Sequence, residues 1–101
     1  MEIEVKIYIN KMVLSGGGKT VTGLPDIPFS SSRQLVGEFF AAEQCMKKGV
    51  LKLGAIKWYK RGPKIIVYPQ ELIEGGISEI EERCFMELAY GAGSRESKII
   101  V

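Results

Sequence analysis

Residues 2–24, EIEVKIYINKMVLSGGGKTVTGL, contain the pattern that decides the fold class. Polar and apolar residues alternate from Glu2 onward, and the apolar positions carry β-branched side chains. This period of two predicts a half-buried strand that runs to about Leu14 and ends at Gly16-Gly17-Gly18. Two interpretations of residues 19–24 stay open: a short return strand that makes a hairpin with the first strand, or part of a structureless loop of about fifteen residues, which is uncommon in a compact domain.

Two amphipathic helices are predicted after this hairpin. Ser31-Ser32-Arg33-Gln34 fits a capping box, so the first helix is expected over about residues 32–48, with Gly49 as its stop. Ser78-Glu79-Ile80-Glu81 is a second capping box, and Gly91 ends the helix that it begins. Both helices carry apolar side chains at the spacing of one buried face.

Further strands are predicted around the second helix. Residues 50–59 and 64–69 form two strand-like runs with a bulge near Gly54, and the apolar tail 98–101 is a short last strand. The order β(β)αββαβ predicts an α+β fold, a mixed or antiparallel sheet with two helices. Without the bracketed strand it is the order of a ferredoxin-like sandwich, and the extra strand complicates that match. A length of 101 residues predicts a single α+β domain over residues 1–101.

Composition argues against most catalytic and metal chemistry. The chain has no histidine, which removes Ser–His and Cys–His nucleophile pairs and the commonest metal ligand. Cys45 and Cys84 fall in the two predicted helices, where we expect small core thiols rather than a zinc site. Val13 stands where a phosphate-binding loop ending in Gly18-Lys19 requires a glycine. We therefore predict a non-catalytic protein without metal or cofactor.

The sequence also bears on location. No apolar run approaches the eighteen residues or more that a membrane span needs. The alternating N-terminus lacks the pattern of a signal peptide. We expect a cytoplasmic protein that does not use a membrane as a partner.

The net charge of +2 hides a separation of charge along the chain. Residues 44–70 contain seven lysines and arginines and no acid, whereas residues 71–91 contain six glutamates and one arginine. The two segments therefore carry +7 and −5, and the chain is dipolar rather than uniformly basic.

Part of the basic segment resembles one strand of a known family. Gly54-Ala55-Ile56-Lys57-Trp58-Tyr59-Lys60 is similar to the first strand of cold-shock domains, in which Gly-x-Val-Lys-Trp-Phe is typical. The aromatic strand that follows in that family has no counterpart here, and a helix is predicted before the segment. The likeness therefore covers about seven residues and does not assign the chain to the family.

A second partial likeness involves two separate segments. Ile7-Tyr8-Ile9-Asn10-Lys11-Met12 resembles the first-strand signature of the RNA-recognition motif, a family with a ferredoxin-like fold, and Arg61-Gly62, Ile66 and Tyr68 match parts of its third-strand signature. A proline and an isoleucine occupy the two stacking positions of that third strand. The resemblance thus carries over to two residues only: it implies that Tyr8 stacks on a base and that Tyr68 also contacts the nucleic acid.

The leading hypothesis is a small binding protein that contacts nucleic acid through a basic, aromatic strand pair within residues 47–68. Cations would hold phosphates and aromatic rings would stack on bases. The candidate binding residues are Lys52, Lys57, Tyr59, Lys60, Arg61, Lys64, Tyr68 and Tyr8.

Two other interpretations use the same residues. The first is a protein-interaction or self-associating module, an accessory subunit or inhibitor, whose basic surface meets an acidic partner or another copy. Phe39 and Phe40 point about 100° apart on one helix, so either one of them is a candidate for a partner contact or both lie within a wide stripe against the sheet. The second is a lysine-fringed edge hairpin with Trp58 in the core and no binding role.

Overall fold

The computed structural model describes residues 2–31, 35–54, 62–73 and 75–101. The elements in these residues are, in chain order, β1 (Glu2–Tyr8), β2 (Lys11–Gly16), β3 (Lys19–Gly23), α1 (Phe39–Lys52), β4 (Lys64–Pro69), α2 (Glu79–Gly91) and β5 (Glu96–Ile99). The strands form one five-stranded sheet in the order β3-β2-β1-β4-β5. The predicted α+β class, a mixed sheet with two helices, is confirmed.

The N-terminal part of the chain is a three-stranded antiparallel meander. Of the two interpretations of residues 19–24, the structure shows the return strand: β3 pairs with β2 across a turn at Gly17-Gly18, where both glycines have positive φ. The single predicted strand up to Leu14 is wrong, because the chain turns at Ile9-Asn10 and separates β1 from β2. Asn10 takes a φ of 49° there, a conformation that asparagine tolerates better than most residues.

The C-terminal part adds two parallel strands. β4 pairs in parallel with β1 on one side and with β5 on the other. Helix α1 connects β3 to β4, and α2 connects β4 to β5. The last strand begins two residues before the predicted tail strand. The strand order β3-β2-β1-β4-β5 does not by itself confirm the ferredoxin-like arrangement, which stays a prediction.

Helix α1 begins later and ends later than predicted. Its N-cap is Glu38, which makes no side-chain capping bond, and residues 32–34 of the predicted capping box lie outside the described residues. The helix continues through Gly49 because its buried stripe includes Cys45, Met46 and Val50. A Cβ at Gly49 would lie 2.6 Å from a methyl carbon of Leu14, so this glycine permits close packing rather than ending the helix.

The predicted strand over residues 50–59 is therefore wrong at its start. Residues 50–52 form the last turn of α1, Leu53 is its C-cap, and Gly54 follows with a φ of 70°. Residues 55–59 lie outside the described residues. The predicted strand at 64–69 is confirmed as β4.

Helix α2 matches its predicted start. The Ser78 hydroxyl accepts from the Glu81 amide at 3.2 Å, and the Glu81 carboxylate accepts from the Ser78 amide, which completes the capping box. Ile80 has the helical spacing of the apolar stripe that includes Cys84 and Leu88, which predicts burial, but it is 82% exposed. The buried face is centred on Phe85, Leu88 and Ala89, and helical geometry places Ile80 about 130° from that centre.

One hydrophobic cluster joins both helices to a single face of the sheet. It takes alternate residues from the strands, such as Ile3, Val5 and Leu14, together with Met46 of α1 and Phe85 of α2. Residues of the opposite parity point away from this cluster. We call that second surface the open face, since no described helix packs against it.

Candidate nucleic-acid interface

The register of the central strands decides which side chains share the open face. Lys6 of β1 lies opposite Tyr68 of β4, and Tyr8 lies opposite Lys11 of β2. Alternation along β4 then places Lys64 on the same face as Tyr68. Three of the residues proposed from the sequence, Tyr8, Lys64 and Tyr68, therefore come together on one surface.

The two tyrosines are diagonal neighbours. Tyr8 lies two residues beyond Lys6, and Lys6 is directly paired with Tyr68 on the adjacent strand. Neighbouring strands lie about 4.8 Å apart and two residues rise about 6.6 Å, so the two tyrosine Cα atoms are separated by about 8 Å on one face of the sheet. Both tyrosines are partly exposed. The arrangement therefore presents two neighbouring rings at one end of the open face.

A cation lies beside one of these rings. The ammonium of Lys11 is 4.6 Å from the centroid of the Tyr8 ring, within the range of a cation–π contact. The contact follows from the pairing of Tyr8 with Lys11 across the turn. A positive charge is thus held next to a flat aromatic surface.

Charge is unevenly distributed over the open face. Lys6 and Lys11 surround the tyrosines, whereas Glu2, Glu4 and Glu96 lie toward the other end, where β1, β4 and β5 begin. Lys64 and Lys98 also belong to this face, at positions paired with Glu2 and Ile66. None of these lysines forms an ion pair with a described carboxylate. Their charges are available to an anionic ligand.

Two contacts hold the backbone beside Tyr8 and Tyr68 in place. Ile66, between Lys64 and Tyr68 on β4, is only 7% exposed although it lies outside the helix-side cluster. The carboxylate of Glu71 accepts from the amide of Ile9 at 2.6 Å, just past the end of β1. This bond satisfies a turn amide that the sheet does not pair.

The remaining predicted site residues lie elsewhere. Lys52 is an exposed residue of the last turn of α1, in the helical layer, so the expected strand pair does not present it. The sequence analysis placed Lys52 on a strand beginning at residue 50, whereas residues 50–52 continue helix α1. Lys57, Tyr59, Lys60 and Arg61 lie outside the described residues, as does Trp58.

Sequence reasoning missed three lysines of the open face. Lys6 shares parity with Tyr8, so alternation alone was sufficient to find it. Lys11 reaches Tyr8 only because the chain turns at Asn10, a residue that favours such turns. Lys98 is brought to the face by the parallel pairing of β5 with β4, which no local pattern indicates.

The cysteines and acidic side chains give little further chemistry. Burial raises the pKa of the thiols of Cys45 and Cys84, and both are free. A raised pKa lowers the thiolate fraction and hence the nucleophilicity of these groups. Among the described residues, no group of three or more His, Cys, Asp or Glu side chains is placed to hold a metal ion. Neither described helix has the length and apolarity of a membrane span.

Comparison with known proteins adds one relative. No protein-family model matches the chain. The chain is 38% identical over 72 residues to the uncharacterized protein YjaA of Escherichia coli (strain K12). The match covers 66% of this chain and 57% of YjaA, so the chain spans less than two thirds of that relative. No solved structure matches significantly. The chain is thus similar in sequence to YjaA, whose name states no activity.

Proposed function

We propose that the protein binds single-stranded nucleic acid on the open face of its sheet. The observation that carries the proposal is the adjacency of Tyr8 and Tyr68 on this face, with Lys6 paired to Tyr68 and Lys11 against Tyr8. Exposed aromatic rings beside cations are the usual elements of single-strand recognition. The basic segment predicted from the sequence contributes Lys64 and Tyr68 to this surface.

The tyrosines favour a single strand over a duplex. A ring can stack on a base only when the face of that base is exposed, and duplex bases cover each other's faces. Stacking contributes about 1–3 kcal/mol per base. Moving the Lys11 ammonium from the Tyr8 ring costs about 0.5–1 kcal/mol at an exposed site. Stacking on Tyr8 is therefore favourable even when it displaces this lysine.

The lysines supply the attraction for phosphates. Lys6 and Lys11 lie beside the rings, and Lys64 lies farther along β4 toward the acidic end. Glu2 and Glu4 repel phosphates from that end. We therefore expect a short binding site, about two stacked bases with their flanking phosphates, located at the tyrosine end of the face.

Fluorescence anisotropy with labelled oligonucleotides tests the proposal. Single-stranded DNA and RNA of mixed sequence and a matched duplex are titrated with protein between 50 and 200 mM salt. Affinity for the single strands is expected to exceed that for the duplex and to fall with salt, with a slope of about 0.7 per neutralised phosphate. Absence of single-strand binding at 50 mM salt would sink the proposal.

Variants locate the binding surface. Tyr8→Ala and Tyr68→Ala are each expected to weaken binding about tenfold, since each removes one stacking surface. Tyr90→Ala is the matched control, because Tyr90 is 49% exposed on α2 in the helical layer. Lys6→Ala should reduce the salt slope, while Lys47→Ala, an exposed position of α1, should not. Equal losses in the Tyr90 variant would contradict the assignment of the surface.

The rival interpretation, an acidic protein partner, predicts a different response to competitors. Poly-glutamate offers negative charge without bases to stack. Under our proposal poly-glutamate displaces a labelled oligonucleotide from the protein only weakly, and the Tyr8→Ala substitution does not change its affinity for the protein. Competition as strong as that of an oligonucleotide would favour the acidic protein partner.

A further inference from the structure

A groove lies in the helical layer, between α1 and the segment that follows β3. It has a volume of about 370 Å³, and its apolar lining comes from Leu24, Pro25, Ile27, Phe40 and Ala41. Leu24, Ile27 and Phe40 are 71%, 66% and 77% exposed. Large apolar side chains gathered around one concave site at this exposure mark an interaction surface.

The two adjacent phenylalanines of α1 have separate environments. Phe39 is partly buried and packs against the hydrophobic cluster. Phe40 extends into solvent at the edge of the groove. The patch thus contains both an exposed aromatic ring and an apolar concavity next to it, the two features that a contact between two copies would bring together.

The charges of the patch are also complementary to themselves. The ammonium of Lys48 lies 2.7 Å from a carboxylate oxygen of Asp26, and the two side chains are 58% and 83% exposed. Both residues line the groove. A two-fold axis through the patch would bring each charge toward the opposite charge of the second copy.

We propose that this patch forms an isologous dimer. Phe40 of each copy inserts into the groove of the other copy, between its α1 and its Leu24–Ile27 segment. Asp26 and Lys48 of one copy then face the partner's Lys48 and Asp26. A second copy fits this surface better than a uniformly charged partner, because the rim carries both signs of charge.

The exposed area indicates a weak dimer. A phenylalanine ring buries about 150 Å² or more when it is fully covered, and each copy offers one such ring and two aliphatic side chains. The total interface therefore falls at or below about 1,200 Å², the range of transient complexes. The groove lies on the helical side of the sheet, so dimerisation leaves both open faces accessible. Dimerisation through this groove and nucleic-acid binding on the open face therefore do not depend on each other.

Sedimentation equilibrium of the full chain over 5–500 µM tests the dimer. The unmodified protein is expected to show a reversible monomer–dimer equilibrium. Phe40→Asp should weaken association at least about tenfold, since a central aromatic ring is replaced by a charge. Ile80→Asp is the matched control, because Ile80 is 82% exposed on α2 and lies outside the groove. The far-ultraviolet circular dichroism of each variant establishes that it is folded.

A charge exchange distinguishes contacts between copies from the ion pair within one copy. Asp26→Lys makes the patch positive, and Lys48→Asp makes it negative, so each variant alone should be monomeric. An equimolar mixture of the two should form heterodimers at least as tight as the original homodimer, and 0.5 M salt should weaken them. If the substitutions acted only by breaking the Asp26–Lys48 ion pair within each copy, both variants would still lack that pair in the mixture, and the mixture would stay monomeric.

Three results would overturn the proposal. The first is that the unmodified protein stays monomeric at every concentration tested. The second is that Phe40→Asp and Ile80→Asp associate equally, and the third is that the mixture of charge variants fails to associate.

Discussion

Asn10 shows how one residue connects two parts of this fold. Its positive φ closes the turn between β1 and β2. Its side-chain oxygen accepts from the Ser30 amide at 2.8 Å, and its own amide donates to the Ser30 hydroxyl at 3.0 Å. That hydroxyl donates in turn to the carbonyl of Leu35, so the turn fixes the connection that leads into α1.

Substitution at this position separates two contributions to stability. Asn10→Gly keeps the positive φ but loses the side-chain bond, and we expect a loss of about 1 kcal/mol in the free energy of unfolding. Asn10→Ala also loses the tolerance of positive φ, which adds about 1–2 kcal/mol. Urea denaturation of both variants measures the difference. Equal losses would mean that the turn conformation contributes nothing.

Gly49 illustrates a residue whose role cannot be inferred locally. A glycine after an amphipathic stretch is a common helix stop, and the sequence prediction followed that rule. In the fold, the missing side chain lets α1 approach Leu14 of β2. Only the neighbouring strand distinguishes close packing from helix termination.

At the scale of elements, the two helices differ in how their starts are encoded. The start of α2 was predicted correctly because a capping box is made by four consecutive residues. Helix α1 begins after Glu38, where no side chain caps it and the Phe29 carbonyl accepts from the amides of Gly37 and Glu38. That start depends on a residue ten positions away from the helix, which local pattern cannot supply.

The capping box of α2 gives a prediction at this scale. Ser78→Ala removes the hydroxyl that accepts from the Glu81 amide and should destabilise the protein by about 1 kcal/mol. Ser78→Asp keeps a capping oxygen and places a negative charge at the helix N-terminus, so it should restore most of the stability. Thermal unfolding of the three proteins compares them. An alanine variant as stable as the original would show that the box is not needed.

At the scale of the whole molecule, a side-chain pair connects the segment after β3 to α1. The hydrogen bond and the positive charge of Lys48 hold the pKa of Asp26 below its usual range. Because the folded pKa is lowered, the stabilising contribution of the pair is present above the unfolded pKa and is lost as pH falls through the folded pKa. Acidification should therefore weaken this contact between the segment and the helix.

The pH dependence is measurable at a single carboxyl group. Carbon-detected NMR of the dilute protein gives the pKa of Asp26, and Lys48→Met should raise it toward the ordinary aspartate value. Lys47→Met, a neighbouring exposed lysine, is the control and should leave the titration of Asp26 unchanged. An identical titration curve in all three proteins would show that Lys48 does not act on this carboxyl group in solution.

The sequence by itself determined the secondary-structure class, the strand at 64–69 and the capped start of α2, because each follows from residues close together in the chain. The tertiary structure alone decided that β1 lies between β2 and β4. That order places Tyr8 diagonally to Tyr68 and brings Lys98 to the same face. It also decided that α1 extends to Lys52, since close packing against Leu14 outweighs the tendency of glycine to end a helix. Pairing between distant segments depends on the whole sheet, and no short stretch of sequence contains it.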